Sequence, residues 1–113
     1  ILASPDPLAE IQFASRVIRA LRADPSFPTA SEMLKMITMN PARILGVDHE
    51  RGSIEVGKRA DLVLIDATTS NLAPVSDAVA ALVNRATAAD IRAVFNNGAL
   101  AHGDPLDVIP HRV

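Results

Sequence analysis

The amino-acid sequence predicts an α+β fold. Three observations carry this reading. Apolar residues recur at helical spacing through residue 45, they fall into short alternating or continuous runs after residue 47, and an Asn-Gly pair separates the last two runs. Helices first and strands afterwards is the order of an α+β chain, not of repeated βα units. With 113 residues, 49% of them apolar and 21% charged, the chain suits one small domain or a piece of a larger one. That apolar content argues against wholesale disorder.

The first helix starts at Ser4-Pro5-Asp6-Pro7. Asp6 is placed to cap, and Pro7 fits the first helical position, where its missing N–H costs nothing. Leu8, Ile11, Ala14, Ile18 and Leu21 then form one apolar stripe. Arg16, Arg19 and Arg22 follow at intervals of three and complement the C-terminal end of the helix dipole. They read as a solvated face in preference to an anion-binding stripe. The prolines of Asp24-Pro25-Ser26-Phe27-Pro28 end this helix. Thr29-Ala30-Ser31-Glu32 has the form of a capping box for a second. Met33, Leu34, Met36 and Ile37 supply its buried side, and Met33, Met36 and Met39 read as core filler before they read as a binding groove. Asn40-Pro41 predicts a reset, with Asn40 as cap of a short helix that stops at Gly46.

From residue 47 the period changes. Residues 47–52 read as a polar turn, and Ser53-Ile54-Glu55-Val56 alternates as a short strand with one wet face. Gly52 and Gly57 bracket it at turns where a positive φ is convenient. Ala60 to Asp66 is nearly continuous in apolar residues and predicts a strand buried on both faces. Ser76 or Asp77 is placed to cap a short helix through Ala78, Val79, Leu82 and Val83. Ile91 to Asn96 and Ala99 to His102 are the last two strands, joined by a type I′ turn at Asn97-Gly98. The tail from Gly103 to Val113 has no clear period.

Composition removes several function classes. There is no cysteine, so disulfides, thiolate metal sites and cysteine nucleophiles are excluded. A net charge of -2, with only three Phe and no Tyr or Trp, argues against a nucleic-acid partner. No apolar run approaches the roughly 18 residues of a membrane span, so no membrane partner is expected. Ile1 is not Met, and no charged segment with an apolar core follows it. The reading is therefore a processed or truncated cytoplasmic chain without a signal peptide.

No active site assembles from the residues alone. The histidines are His49, His102 and His111, without an H-x-H or H-E-x-x-H pattern. His102, Asp104, Asp107 and His111 gather in the tail, but Pro105 and Pro110 interrupt them, so a solvated tail is the better reading. Asp48 and Glu50 lie in a turn and are expected to be exposed, with no raised carboxyl pKa. No glycine loop leads from a strand into a helix to cradle phosphate.

The run NPARILGVDHERGSIEVGKRADLVLID, residues 40–66, changes the picture. It resembles the C-terminal signature of the amidohydrolase superfamily of metal-dependent hydrolases. Residues 71–75, 81–83 and the Ile91 to Leu100 hairpin are similar to the branch that contains cytosine, guanine and adenosylhomocysteine deaminases and triazine hydrolases. The resemblance implies a fold in two parts. Residues 1–46 would be the closing helices of a (β/α)₈ barrel, and residues 47–113 half of a small β-sandwich built from both chain ends. It also implies a divalent metal, zinc or iron, in the whole protein, acting through activated water on a C–N or C–halogen bond of a small cyclic substrate.

In that family the metal ligands are a His-x-His after the first barrel strand, two later histidines and an Asp ending the eighth strand, on loops at the strand C-termini. Asp6 is the only residue here that invites comparison. It sits in a Pro-flanked cap with no apolar strand before it, so no catalytic or metal residue is assigned, and none is assigned to substrate. Lys58, Arg59 and Asp61 are expected to stabilise their turn or face solvent. The partners implied are the barrel and sandwich strands of the same protein, with a homo-oligomer as the parent. A second reading is a free-standing, non-catalytic module that completes a sandwich with another chain.

Overall fold

The computed structural model describes residues 6–105. Three helices come first: α1 (Pro7–Arg22), α2 (Ala30–Ile37) and α3 (Met39–Ile44). Strand β1 (Leu62–Ile65), helix α4 (Ala78–Arg85), a 3₁₀ turn (Ala88–Asp90), and strands β2 (Ile91–Asn96) and β3 (Ala99–Gly103) follow. This is the α+β order read from the sequence.

Local chemistry sets the helix ends. The Asp6 carboxylate accepts from the Leu8 and Ala9 N–H groups at 3.1 and 3.2 Å, and Pro7 opens α1. The capping box on α2 is complete, with Glu32 N–H donating to Thr29 Oγ1 and Thr29 N–H donating to the Glu32 carboxylate. Asp77, not Ser76, caps α4. The reset before α3 differs from expectation. The cap is Thr38, and Asn40 lies exposed inside the first turn. Pro41 still fits there, because the first turn of a helix has no carbonyl partners for its N–H groups in any case.

The core is built chiefly by helices. Ile11, Met33 and Val83 form one buried cluster joining α1, α2 and α4. Leu8, Leu72, Ala81 and Ala86 form another, with Ile65 and Ile91 packed against it from the sheet. The buried face of α1 is Leu8, Ile11 and Ser15, while Leu21 at the end of the predicted stripe is exposed. Ser15 is tolerated in the interior because its hydroxyl donates to Gln12 O at 2.9 Å. Gln12 in turn donates to Ala86 O at 2.9 Å, which ties α1 to the end of α4.

The sheet is antiparallel in the order β1-β2-β3. Leu62 pairs with Phe95 and Leu64 with Ala93 across the first ladder; Val94 pairs with His102 and Asn96 with Ala99 across the second. Asn97 and Gly98 both take positive φ, 51° and 83°, which is the type I′ hairpin that Asn-Gly specifies. Two expectations fail here. Val63 is exposed, so β1 is not covered on both faces within these residues. Residues 53–56 form no strand. Their backbone curls instead, with Lys58 N–H donating to Glu55 O and Arg59 N–H donating to Glu50 O. Alternation of Ile54 and Val56 lacked a pairing partner, and strand pattern without a ladder does not hold an extended chain.

Candidate functional site

Residues 69–90 bring together a polar cluster around one buried carboxylate. Asp90 is buried. Its carboxylate accepts from the Thr69 hydroxyl at 2.7 Å, the Asn71 amide at 2.8 Å and the Thr87 N–H at 2.9 Å. The Thr87 N–H, then the Thr69 hydroxyl and the Asn71 amide, hold the Asp90 carboxyl below its ordinary pKa against the opposing effect of burial. Asn71 also donates to Arg85 O at 2.7 Å, and Arg85 donates to Leu72 O at 2.8 Å. The loop after β1 is thereby fastened to the end of α4. With donors on both carboxylate oxygens, Asp90 is equipped to organise a fold, not to move a proton. The signal for it in the sequence is Thr87-x-x-Asp90, at capping-box spacing ahead of an apolar run.

A second polar group surrounds residues 48–61. Lys58 Nζ donates to Asp48 O at 2.6 Å and Ser53 Oγ at 2.8 Å, and pairs with Glu55 at 3.0 Å. The Ser53 hydroxyl also donates to Glu55. The Ser53 hydroxyl and then Lys58 draw the Glu55 carboxyl below its ordinary value. Gly52, at φ 101°, lets this loop cross α3: a Cβ there would lie 2.8 Å from Met39 Sδ and 3.0 Å from Ala42 Cβ. Arg59 donates to Asn96 Oδ1 at 2.9 Å, and Asp61 accepts from the Asn97 N–H at 2.7 Å. Lys58, Arg59 and Asp61 therefore bind the loop to itself and to the hairpin tip.

The remaining sequence candidates do not converge. Arg19 donates to Pro28 O at 2.9 Å, and Arg22 lies 4.4 Å from the centre of the Phe27 ring, so two arginines of the α1 series hold the α1–α2 connection. Met33 is core, and Met36 packs against that core. Asp48 and Glu50 are half-buried, not exposed as expected. His49 and His102 are exposed and far apart along the chain. Asp107 and His111, the other half of the suggested tail cluster, lie outside the described residues. Among the described residues no three His, Cys, Asp or Glu side chains come together as a metal site requires. An apolar groove between β1 and α4, lined by Val63, Ile65, Leu72, Val75 and Leu82 among others, offers no polar side chain for chemistry. No described helix is long and apolar enough to cross a membrane.

Comparison with known proteins gives this arrangement its context. Residues 3–101 match the amidohydrolase family. The chain belongs to that family. Over 95 residues it is 44% identical to a 5-methylthioadenosine/S-adenosylhomocysteine deaminase of Thermodesulfovibrio yellowstonii, covering 84% of this chain and 22% of the relative. Over 73 residues it is 42% identical to a 5'-deoxyadenosine deaminase of Methanobrevibacter smithii, covering 65% of this chain and 17% of the relative. A crystal structure of an adenosine deaminase from Xanthomonas campestris, with bound zinc, superposes with a TM-score of 0.82 at 29% identity, over 85% of this chain and 22% of that one. The chain thus spans about a fifth of the length of these amidohydrolases.

Proposed function

We propose that this amidohydrolase segment is the structural C-terminal part of a deaminase acting on an adenosine-type nucleoside. The observation that carries the reading is 44% identity across 84% of the chain to an enzyme named for that substrate class. Hydrolytic deamination joins a water oxygen to the ring carbon and releases the exocyclic amine as ammonia. A divalent metal held elsewhere in the whole protein would supply activation of that water. The described residues do not fit such an ion, since no three candidate ligands converge, and the Asp6 carboxylate is already engaged by two backbone N–H groups as a cap. Residues 1–46 then close the barrel and residues 47–113 contribute to the sandwich, with the rest of the same protein, itself a homo-oligomer, covering the apolar faces.

The test compares two proteins. The first is the 113-residue chain with added zinc or iron, assayed for ammonia release from adenosine, 5'-methylthioadenosine and S-adenosylhomocysteine. The second is a longer protein in which this segment follows a barrel carrying the H-x-H pattern. The expected result is no turnover above buffer for the first, and chelator-sensitive turnover for the second. Metal-dependent turnover by the short chain, abolished by Asp6→Ala, overturns the structural assignment. A longer protein that releases no ammonia from any of the three overturns the substrate class.

A further inference from the structure

We propose that Asn97 is a deamidation site that the native hairpin holds shut and that local opening exposes. The chemistry needs an asparagine followed by a residue whose backbone nitrogen is sterically free. Asn97 is followed by Gly98, both are exposed, and nothing lies within 4 Å of the Cβ position of Gly98. The Gly98 nitrogen, giving up its proton, attacks Cγ of the Asn97 side chain. The new C–N bond closes a five-membered imide as the side-chain amine leaves with a proton as ammonia. Water then adds to one of the two imide carbonyls. Opening at Cγ gives aspartate, and opening at the backbone carbonyl gives isoaspartate, with the chain running through the former side chain. Water is the only co-reactant, and nothing is oxidised or reduced.

The folded geometry opposes the first step. The Gly98 N–H that must act as nucleophile donates to Ala60 O at 2.9 Å. The Asn97 N–H donates to Asp61 Oδ1 at 2.7 Å, and Asn96 Oδ1 accepts from Arg59 at 2.9 Å. All three contacts come from consecutive residues, 59–61, which clasp the hairpin tip. The type I′ turn, at φ 51° and 83°, fixes the same two residues whose torsions must change for ring closure. Ring closure therefore waits for residues 59–61 to let go, a local opening distinct from unfolding of the helical core. Once formed, the product resists reclosing. Aspartate at position 97 adds a carboxylate close to Asp61, and isoaspartate adds a backbone atom between the two N–H groups that now meet Asp61 and Ala60.

The experiment incubates three samples at mildly alkaline pH: the folded chain, the same chain in concentrated urea, and a synthetic peptide of residues 92–102. Acid formation at Asn97 is followed by peptide mapping, and isoaspartate by isoaspartyl methyltransferase labelling. The expected result is that the peptide and the unfolded chain react at similar rates, and the folded chain at least about tenfold more slowly. Asp61→Ala brings the folded chain toward the peptide rate. Asp61→Asn, which keeps an accepting oxygen, does not. Low urea concentrations provide a second measurement should Asp61→Ala fail to fold. The Asn97 rate rises there while the amides of α4 still resist hydrogen exchange. An inert Asn97 in the peptide removes the site. A folded chain reacting at the peptide rate removes the lock. A rate that rises only when α4 protection is lost removes the clasp.

Discussion

Asp90 shows how a buried charge is kept in place without a cationic partner among its hydrogen bonds. Its carboxylate is held by Thr69, Asn71 and Thr87, and charge-assisted bonds of this kind are the strong ones. Asp90→Ala leaves these donors without their acceptor, and the expected loss is about 2–4 kcal/mol, read as a lower urea midpoint at unchanged slope. The same carboxylate sets a pH dependence. Its pKa is lowered in the folded state, so its stabilisation is complete above the unfolded value of about 3.9 and is lost as pH falls through the lowered folded value. Asp66, lowered first by the Thr68 hydroxyl and then by the Thr68 N–H, adds in the same direction. Thermal midpoints measured from neutral pH downward should stay level and then fall below the ordinary carboxylate range. Asp90→Asn should flatten that fall, and an unchanged acid profile for this variant would remove Asp90 from the account.

Element ends, α3 excepted, carried more legible information than interiors. The Asp6, Thr29 and Asp77 caps and the Asn97-Gly98 turn are short-range patterns, and all four formed where the residues indicated. Thr29→Ala should therefore cost about 1 kcal/mol through α2 alone. Gly98→Val should cost on the order of 1–2 kcal/mol. No atom lies within 4 Å of a Cβ at residue 98, so that cost is the backbone's resistance to φ 83° and not a clash. An unchanged unfolding midpoint in Gly98→Val would mean that the turn does not hold this geometry. Long-range terms were the illegible ones. Ile54 and Val56 alternate as a strand does, yet strand formation depends on a neighbour, which the local pattern does not report. Ser15 is buried where Ala14 was expected, because its interior position rests on a hydroxyl bond to the preceding turn. The Asp90 cluster as a whole has no local pattern of its own, because Thr69 and Asn71 are distant in sequence and meet Asp90 only across α4.

At the scale of the whole molecule, the described residues leave much apolar surface open. Ile44 and Leu45 at the end of α3 are 84% and 75% exposed, Ile54 is 86% exposed, and Val56 projects fully into solvent. On the sheet, Val63 and Leu100 are half exposed or more. Scattered apolar residues are ordinary on a protein surface, but Ile44, Leu45, Ile54 and Val56 fall within one stretch of the chain. Among the described residues β1 and β3 lie at the two edges of the sheet, where one side of each strand has no neighbouring strand. Ile65 and Ile91, at one end of the sheet, pack against the helical core. These features predict how the 113-residue chain behaves by itself. Light scattering should show self-association that grows with concentration, and a dye for apolar surface should bind. The paired substitution Ile54→Ser and Val56→Ser should lower dye binding while moving stability by only about 0.5 kcal/mol, since both side chains are exposed already. A monodisperse monomer that unfolds cooperatively and binds no dye would contradict this reading and favour a module that stands without its covering strands.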